Sequence, residues 1–464
     1  MRKLSVNAAL VFSADAGARV LGFLANAHLA RVLNTDGFGV VVIGFAFLSY
    51  ALWFADLGLG TLGTREAGRG SDQREFAPGA VLLTRILLSV VVFVLSEALA
   101  MALYPDALLR WVVSGFLLCI IAYGLSIEWY YQGVRRYLPV AVSRFLIAAI
   151  YSLALYLFVK NPGDAARVPI YYFAGTLIPA LVLFGLRREK GAMQWSGWSL
   201  RSSVEILRRS SFIGFGGIFA QSVQLLPPLV LGWLYSTSEV GIMGAALRAV
   251  SMLLIVDRIF AALFLPAISR QWATERETAM ANLRRVLGLV IITGFSLGTI
   301  ATVYARPVIT LIFGPSYADG AGTLAILSWF AAITLINSVF SFGLIGTGNE
   351  RGYLRATVAG GILSVILIVA MTYLWGLPGA AIAMVAGELC IVGLTYSQFR
   401  RTMPVSFGRP LAVGVGASAA VLAGAHMLGT AELWQAPIAA IAFFGLALLF
   451  GGIRREDITW LMGR

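Results

Sequence analysis

The chain has 464 residues, 59% of them hydrophobic and 12% charged, with a mean hydropathy of +0.85. Soluble domains carry roughly 25% charged and 45–50% apolar residues. The composition therefore excludes a soluble enzyme and a disordered chain, and two Cys (Cys119, Cys390) and two His leave no disulfide framework or metal cluster. A multi-spanning membrane protein remains, and the net charge of +13 is read by its position along the chain, not as a nucleic-acid footprint.

A bilayer core about 30 Å thick needs about 20 apolar residues per helix. Fourteen apolar runs meet this, at about 6–32, 38–62, 76–103, 108–132, 138–159, 168–187, 210–235, 239–268, 285–304, 321–346, 353–374, 378–399, 410–428 and 434–453. The predicted fold class is an all-α polytopic membrane protein. Its connections are short and turn-rich, as in Tyr104-Pro105-Asp106, Asn161-Pro162-Gly163 and Leu377-Pro378-Gly379. The first run follows Arg2-Lys3 and passes Ala14-Asp15-Ala16 without stopping, too long for a cleaved signal core, so it is read as a span with a cytoplasmic start.

Alternating the loops from a cytoplasmic N-terminus places 25 of the 35 basic residues inside and five outside, with Arg19, Arg85, Arg144, Arg248 and Arg258 within spans. This follows the positive-inside rule and puts both termini in the cytoplasm. The longest inner connection, 188–209, separates spans one to six (residues 1–187) from spans seven to twelve (210–400), and spans thirteen and fourteen lie in 401–464. Within it Trp195, Trp198, Val204 and Leu207 alternate with Arg201, Glu205 and Arg208. That pattern fits an amphipathic helix on the inner leaflet and, equally, a solvated basic linker.

The two six-span halves match each other. Leu29 to Gly39 lies over Leu231 to Gly241 at an offset of 202, and Phe54-Ala55-x-Leu57-x-Leu59 over Phe260-Ala261-x-Leu263-x-Leu265 at 206. Six spans is an even number, so the halves form a parallel repeat, which places a substrate path between them.

Charges within spans carry the function. A lipid-facing Arg at mid-bilayer costs about 2.5–3.5 kcal/mol, so five of them must face protein or water. Asp15, Arg19, Gly22 and Asn26 share one helical stripe, and the offset of 202 carries that stripe to Gly217, Gln221, Gln224 and Pro228. Pro227-Pro228 is expected to bend or break span seven. Arg248, Asp257 and Arg258 lie on span eight, Arg85 and Arg144 in the inner thirds of spans three and five, and Glu388 on span twelve. Asp15 is also placed to neutralise Arg19, and Asp257 and Glu388 to neutralise Arg258 and another Arg, while Arg85 and Arg144 are long enough to snorkel inward. Asp56, Glu97 and Glu128 lie closer to the interfaces, where a solvated reading is as good as any; His28 lies off the stripe and His426 in the tail. No phosphate-binding loop, Asp-x-Asp pair, His-Glu-x-x-His or Gly-x-Ser-x-Gly occurs, so no enzyme is predicted and transport must run on substrate or ion gradients.

Six segments resemble the polysaccharide biosynthesis (O-antigen flippase) family of the multidrug/oligosaccharidyl-lipid/polysaccharide exporter superfamily. They are Leu29-Ala30-Arg31-Val32-Leu33 with Gly37-Phe38-Gly39; Phe54-Ala55-Asp56-Leu57-Gly58-Leu59-Gly60-Thr61 with Arg65-Glu66-Ala67; Glu128-Trp129-Tyr130-Tyr131-Gln132-Gly133; Phe264-Leu265-Pro266-Ala267-Ile268-Ser269-Arg270; Phe313-Gly314-Pro315-Ser316-Tyr317; and Gly376-Leu377-Pro378-Gly379-Ala380-Ala381 leading to Glu388. Thr35 stands where the family often has Pro, and Ser364 where it often has Asn.

The resemblance implies two six-helix lobes with alternating access, and a flippase for a polyprenyl-pyrophosphate-linked oligosaccharide in the bacterial inner membrane. It also implies cavity Arg residues, for which Arg19 and Arg248 occupy suitable spans. On this reading Arg19, Arg248 and Arg258 bind the pyrophosphate as planar donor forks, with Arg85 as a further cavity cation. The sugars lie near Asn26, Gln221 and Gln224. Proton or sodium coupling falls to Asp15, Asp257 or Glu388. No cofactor is expected, and the partners are membrane lipid, the lipid-linked glycan and other polysaccharide-assembly proteins, with the chain a monomer. The alternatives are a lipid II-type flippase, a multidrug cation antiporter and a membrane glycosyltransferase or polymerase.

Overall fold

The computed structural model describes residues 2–69, 73–186, 198–255, 257, 270–272, 274–429 and 432–452, with side chains from residue 14 onward except 212, 213 and 215–220. Among these residues there are helices and no strands. Among the described residues nine helices are long and apolar enough to cross a membrane.

The chain divides into two compact units, Met1–Gln221 with Tyr235–Gly241, and Ser222–Leu234 with Ile242–Arg464. The division falls inside one helix, and the expected boundary at 209/210 lies within that same helix.

Unit 1 opens with α1 (Arg2–Asp56), which holds two span-length segments joined at Asn34, where φ is 57°. Asn tolerates positive φ better than most residues. The second segment does not run on to residue 62 as its apolar pattern predicts. It stops at Asp56, turns through Leu57 (φ 37°) and Gly58 (φ 80°), and resumes as α2 (Leu59–Ala67). The Asp56 carboxylate accepts the Gly60 N–H at 3.2 Å, supplying the cap that the break leaves open.

α3 (Pro78–Leu103) is unbroken. The fourth predicted span is three pieces, α4 (Ala107–Leu117), α5 (Cys119–Leu125) and α6 (Glu128–Gly133). α7 (Tyr137–Phe158) and α8 (Val168–Gly185) complete the unit's apolar helices. Trp129, Tyr130 and Tyr131 bury against Leu59, Leu62, Val81 and Leu183. His28 hydrogen-bonds the Val159 carbonyl at 3.1 Å and packs on Tyr156, a structural role.

α9 (Leu200–Leu234) runs unbroken through Pro227 and Pro228, so of the expected bend or break the break does not occur. A proline's fixed φ is itself helical, and each proline removes one N–H without ending the helix. Its first turns are held on unit 1. Thr84 donates to Ser203 at 2.9 Å, Ile206 joins the core, and Arg209 pairs with Glu75 and Glu205 while lying over Phe76 at 5.4 Å. Leu200 and Val204 are 67% and 66% exposed beside exposed Arg201 and Arg208, the face an inner-leaflet helix would present, whereas Leu207 packs inward. Of the linker pattern, Trp195 lies outside the described residues.

The Arg209 hydrogen bond holds the Glu205 carboxyl below its ordinary range. A carboxyl with a lowered folded-state pKa stabilises above its unfolded value, around pH 4, and loses that contribution as pH falls through the folded value. In thermal melts, Glu205→Gln should remove a small acid-side loss and change little at neutral pH, because the pair is exposed and screened.

Unit 2 contains α10 (Thr237–Leu253, whose first residues belong to unit 1), α11 (Arg276–Val303), α12 (Ala305–Phe313), α13 (Ala321–Gly346), α14 (Glu350–Thr402), α15 (Gly408–Leu428) and α16 (Ala436–Leu449). α14 bends at Gly376 (φ 60°), where the sequence predicts a Leu-Pro-Gly turn. Gly379 is required beside the bend, since a Cβ there would lie 2.0 Å from the Met371 carbonyl oxygen. Leu287, Ile291, Phe340 and Phe399 form this unit's main core, and α15 and α16 pack on α11 through Ala417, Phe443 and Ile292.

Candidate functional site

The polar stripe of α1 forms as the spacing requires. Arg19 Nε donates to Asp15 Oδ2 at 2.9 Å, one helical turn away. Asn26 Nδ2 donates to the Gly22 carbonyl at 2.7 Å, and a Cβ at Gly22 would meet nothing within 4 Å, so the stripe borders open space.

The structure adds cross-helix partners that spacing alone did not supply. Arg144 of α7 stands between two carboxylates, with Nε 3.3 Å from Glu128 and Nη1 3.9 Å from Asp15. Ser143 donates to the other Glu128 oxygen at 3.0 Å. Arg85 of α3 reaches Asp56 at 3.5 Å and lies over the Tyr123 ring at 4.3 Å. Arg19, Arg85 and Arg144 thus each face a carboxylate. Asp56 and Glu128, read as solvated at the interfaces, are structural partners of membrane-embedded cations, and Glu97 accepts from Ser114 at 2.5 Å. Arg85 is buried, whereas the Arg144 side chain is 39% exposed.

Magnitude separates these pairs. The Arg19 and Asp15 side chains are 36% and 34% exposed, and such i,i+4 pairs are worth about 0.3–0.5 kcal/mol. Arg19 can therefore exchange its carboxylate for a more highly charged ligand, and four of its five N–H donors lie outside this bond. Arg85 is 4% exposed, so stripping its partner would strand a buried charge at about 3–5 kcal/mol. Arg85 belongs to the framework more than to an exchangeable ligand set.

Asp56, Arg85, Glu128 and Arg144 line one cavity of about 430 Å³ within unit 1, together with Thr61, Thr64, Tyr123, Trp129 and Gln132. Sequence reading missed this cavity. The signals were present in the Phe-Ala-Asp-Leu-Gly and Glu-Trp-Tyr-Tyr-Gln-Gly segments, but the breaks at Leu57–Gly58 and Ser126–Ile127 that open it look like apolar continuity.

Gln221 is half-buried and Gln224 exposed on α9. Arg248, half-buried on α10, donates to the Gly244 carbonyl at 3.1 Å. Glu388 is buried on α14, accepts from Asn337 at 3.0 Å, and feels the charge of Asp257. Arg258 lies outside the described residues. Among the described residues no group of His, Cys, Asp and Glu is arranged to hold a metal ion.

Where α1 bends, Thr35, Asp36 and Gly39 meet Thr237, Ser238 and Gly241 at the start of α10. Thr237 donates to Asp36 at 3.0 Å and Ser238 to Thr35 at 2.8 Å. A Cβ on Gly39 would lie 1.8 Å from the Thr237 carbonyl oxygen, and one on Gly241 2.0 Å from that of Thr35. The contact is reciprocal, and its members are related by the repeat offset of 202.

Residues 4–272 match the family model described as polysaccharide biosynthesis protein. A protein of Escherichia coli strain K12, named as a candidate O-antigen transporter, is 23% identical over 387 residues, spanning 81% of this chain and 91% of the relative. A Haloferax volcanii protein named as a probable low-salt glycan biosynthesis flippase is 22% identical over 374 residues, 78% of this chain and 76% of the relative. Among solved structures, the lipid II flippase MurJ in an inward closed conformation superposes with a TM-score of 0.71 at 13% identity, covering 97% of this chain and 99% of that one. An inward-facing MATE multidrug transporter gives 0.66 at 14% identity, covering 83% and 94%. Both likenesses are of fold.

Proposed function

The chain belongs to the polysaccharide biosynthesis protein family, and on that premise we propose that it is a flippase for a lipid-linked oligosaccharide. It is a multi-pass membrane protein. The finer reading is of fourteen spans as two six-helix lobes and two C-terminal helices, joined by the 188–209 linker, with both termini cytoplasmic in a bacterial inner membrane. The cargo is an undecaprenyl-pyrophosphate-linked repeat unit of O-antigen, capsule or exopolysaccharide, moved from the inner to the outer leaflet by alternating access. The protein acts as a transporter and not an enzyme, without a cofactor and as a monomer, drawing on a proton or sodium gradient through Asp15, Asp257 or Glu388.

The carrying observation is the exchangeable Arg19–Asp15 pair beside open space on α1. A pyrophosphate of roughly two negative charges outcompetes a single carboxylate for a guanidinium that the pair holds by under about 1 kcal/mol. Arg19, Arg248 and Arg258 receive the pyrophosphate, the polyprenyl chain stays in lipid, and sugars run along Asn26, Gln221 and Gln224.

The test is export of surface polysaccharide by a flippase-null strain at matched protein levels. Arg19→Ala and Arg248→Ala should each lower export roughly 10- to 100-fold, the equivalent of a charge-assisted hydrogen bond worth about 1.5–3 kcal/mol. Unchanged export by either variant removes that residue from the mechanism. A lipid II-type flippase is the second reading, favoured by the shared need for a pyrophosphate site and by the overall superposition. Rescue of peptidoglycan precursor export, with no rescue of O-antigen, would select it. The balanced acids and bases of unit 1 do not favour a cation antiporter.

A further inference from the structure

We infer that the unit 1 cavity is a subsite for one uncharged sugar of the transported glycan. The inference rests on the flippase reading and places a sugar in a cavity that Arg144 links to the α1 stripe through Asp15, among α1, α2, α3, α5, α6, α7 and α8.

Size and charge come first. The cavity's volume, about 430 Å³, falls in the roughly 300–1,000 Å³ range of small-ligand sites. Its four ionic groups cancel, Arg85 and Arg144 against Asp56 and Glu128. A free anion would have to displace two carboxylates and a free cation two guanidinium groups. A neutral ligand meets neither cost.

Hydrogen bonding then narrows the chemistry. Arg85 Nε and Trp129 Nε1 have no hydrogen-bond partner, although the two residues are only 4% and 3% exposed and both line the cavity. Both atoms are donors. Buried polar groups are rarely left unpaired, and a ligand offering oxygen lone pairs answers this need. The carboxylates of Asp56 and Glu128 each retain lone-pair capacity beyond their present bonds and require a donor. A sugar hydroxyl both accepts and donates, which a carbonyl, an ether or a simple anion does not. Tyr123 and Tyr172 add apolar ring surface suited to the C–H face of a pyranose. Water is the rival occupant, meeting the hydrogen-bond demand without using the rings.

The experiment uses the full chain in phosphatidylethanolamine/phosphatidylglycerol nanodiscs and saturation-transfer NMR with methyl glycosides of glucose, galactose, N-acetylglucosamine and rhamnose, and separately with inorganic pyrophosphate. At least one glycoside should bind. Trp129→Phe removes the indole N–H together with one of the two fused rings, so a melting curve matching wild type is the control, and it should weaken that binding about tenfold. Thr61→Trp, placed at the exposed mouth, should block it. Pyrophosphate binding should be unaffected by either change. Binding by no glycoside, glycoside binding indifferent to both substitutions, or pyrophosphate binding lost in Thr61→Trp would each overturn the subsite. Failure of the flippase reading shows differently, as a wild-type chain that does not restore export to the flippase-null strain. Failure of the subsite alone shows as wild-type export that Thr61→Trp leaves intact.

Discussion

Gly39→Ala should lower both thermal stability and glycan export, although alanine is normally the better helix former by about 0.8–1.0 kcal/mol. The new methyl would sit 1.8 Å from the Thr237 carbonyl oxygen. That neighbour is backbone and cannot rotate aside, so the two segments must part. Overpacking costs about 1–3 kcal/mol and more where backbone must move, and separation also loosens the Thr237–Asp36 and Ser238–Thr35 hydrogen bonds, worth about 1 kcal/mol each. Gly241→Ala, with its methyl 2.0 Å from the Thr35 carbonyl oxygen, should do the same. The double variant should cost less than the two single losses added together, because both act on one contact. Melting temperature and surface polysaccharide are the readouts. A Gly39→Ala protein that melts higher than wild type would show that the contact is not closed as the structure has it.

Glu66→Ala should unfold the part of unit 1 where α2 meets α3. The carboxylate is fully buried and accepts from the Glu75 N–H at 2.8 Å, the Phe76 N–H at 3.4 Å and Arg69 at 2.8 Å, tying the end of α2 to the start of α3. Removing it strands two backbone donors and leaves Arg69 unmatched, a loss of about 3–5 kcal/mol, which is a large share of a total stability of about 5–15 kcal/mol. Glu66→Gln keeps one acceptor oxygen and should fall between. Size-exclusion recovery of folded protein after mild heating would rank the three chains. Equal recovery of Glu66→Ala and wild type would sink the prediction. The exposed Glu205→Gln change marks the opposite extreme, a similar carboxylate with almost no effect.

Hydropathy and turn residues made much of the helix layout readable. Asn34 and the Leu377-Pro378-Gly379 turn both mark places where a long helix changes direction. The Asp15–Arg19 pair was readable because its partners are one turn apart on a single helix. Arg85–Asp56 and Arg144–Glu128 were not, since each joins different helices and depends on how those helices pack. The break at Leu57–Gly58 escaped for a related reason. Gly reads as neutral in an apolar run, and only the positive φ values and the Asp56 cap reveal that the helix stops there. The prolines of α9 do not end it, because helical φ is what proline already has.

The reciprocal glycines tie two distant stretches of the sequence together. Residues 35–39 and 237–241 share Thr and Gly at matching places and pack on each other. A change in one therefore alters the surroundings of the other. Because the atom that each added methyl meets is a backbone carbonyl oxygen, a lesion at 39 or 241 should find no suppressor in a side-chain change at 237 or 35.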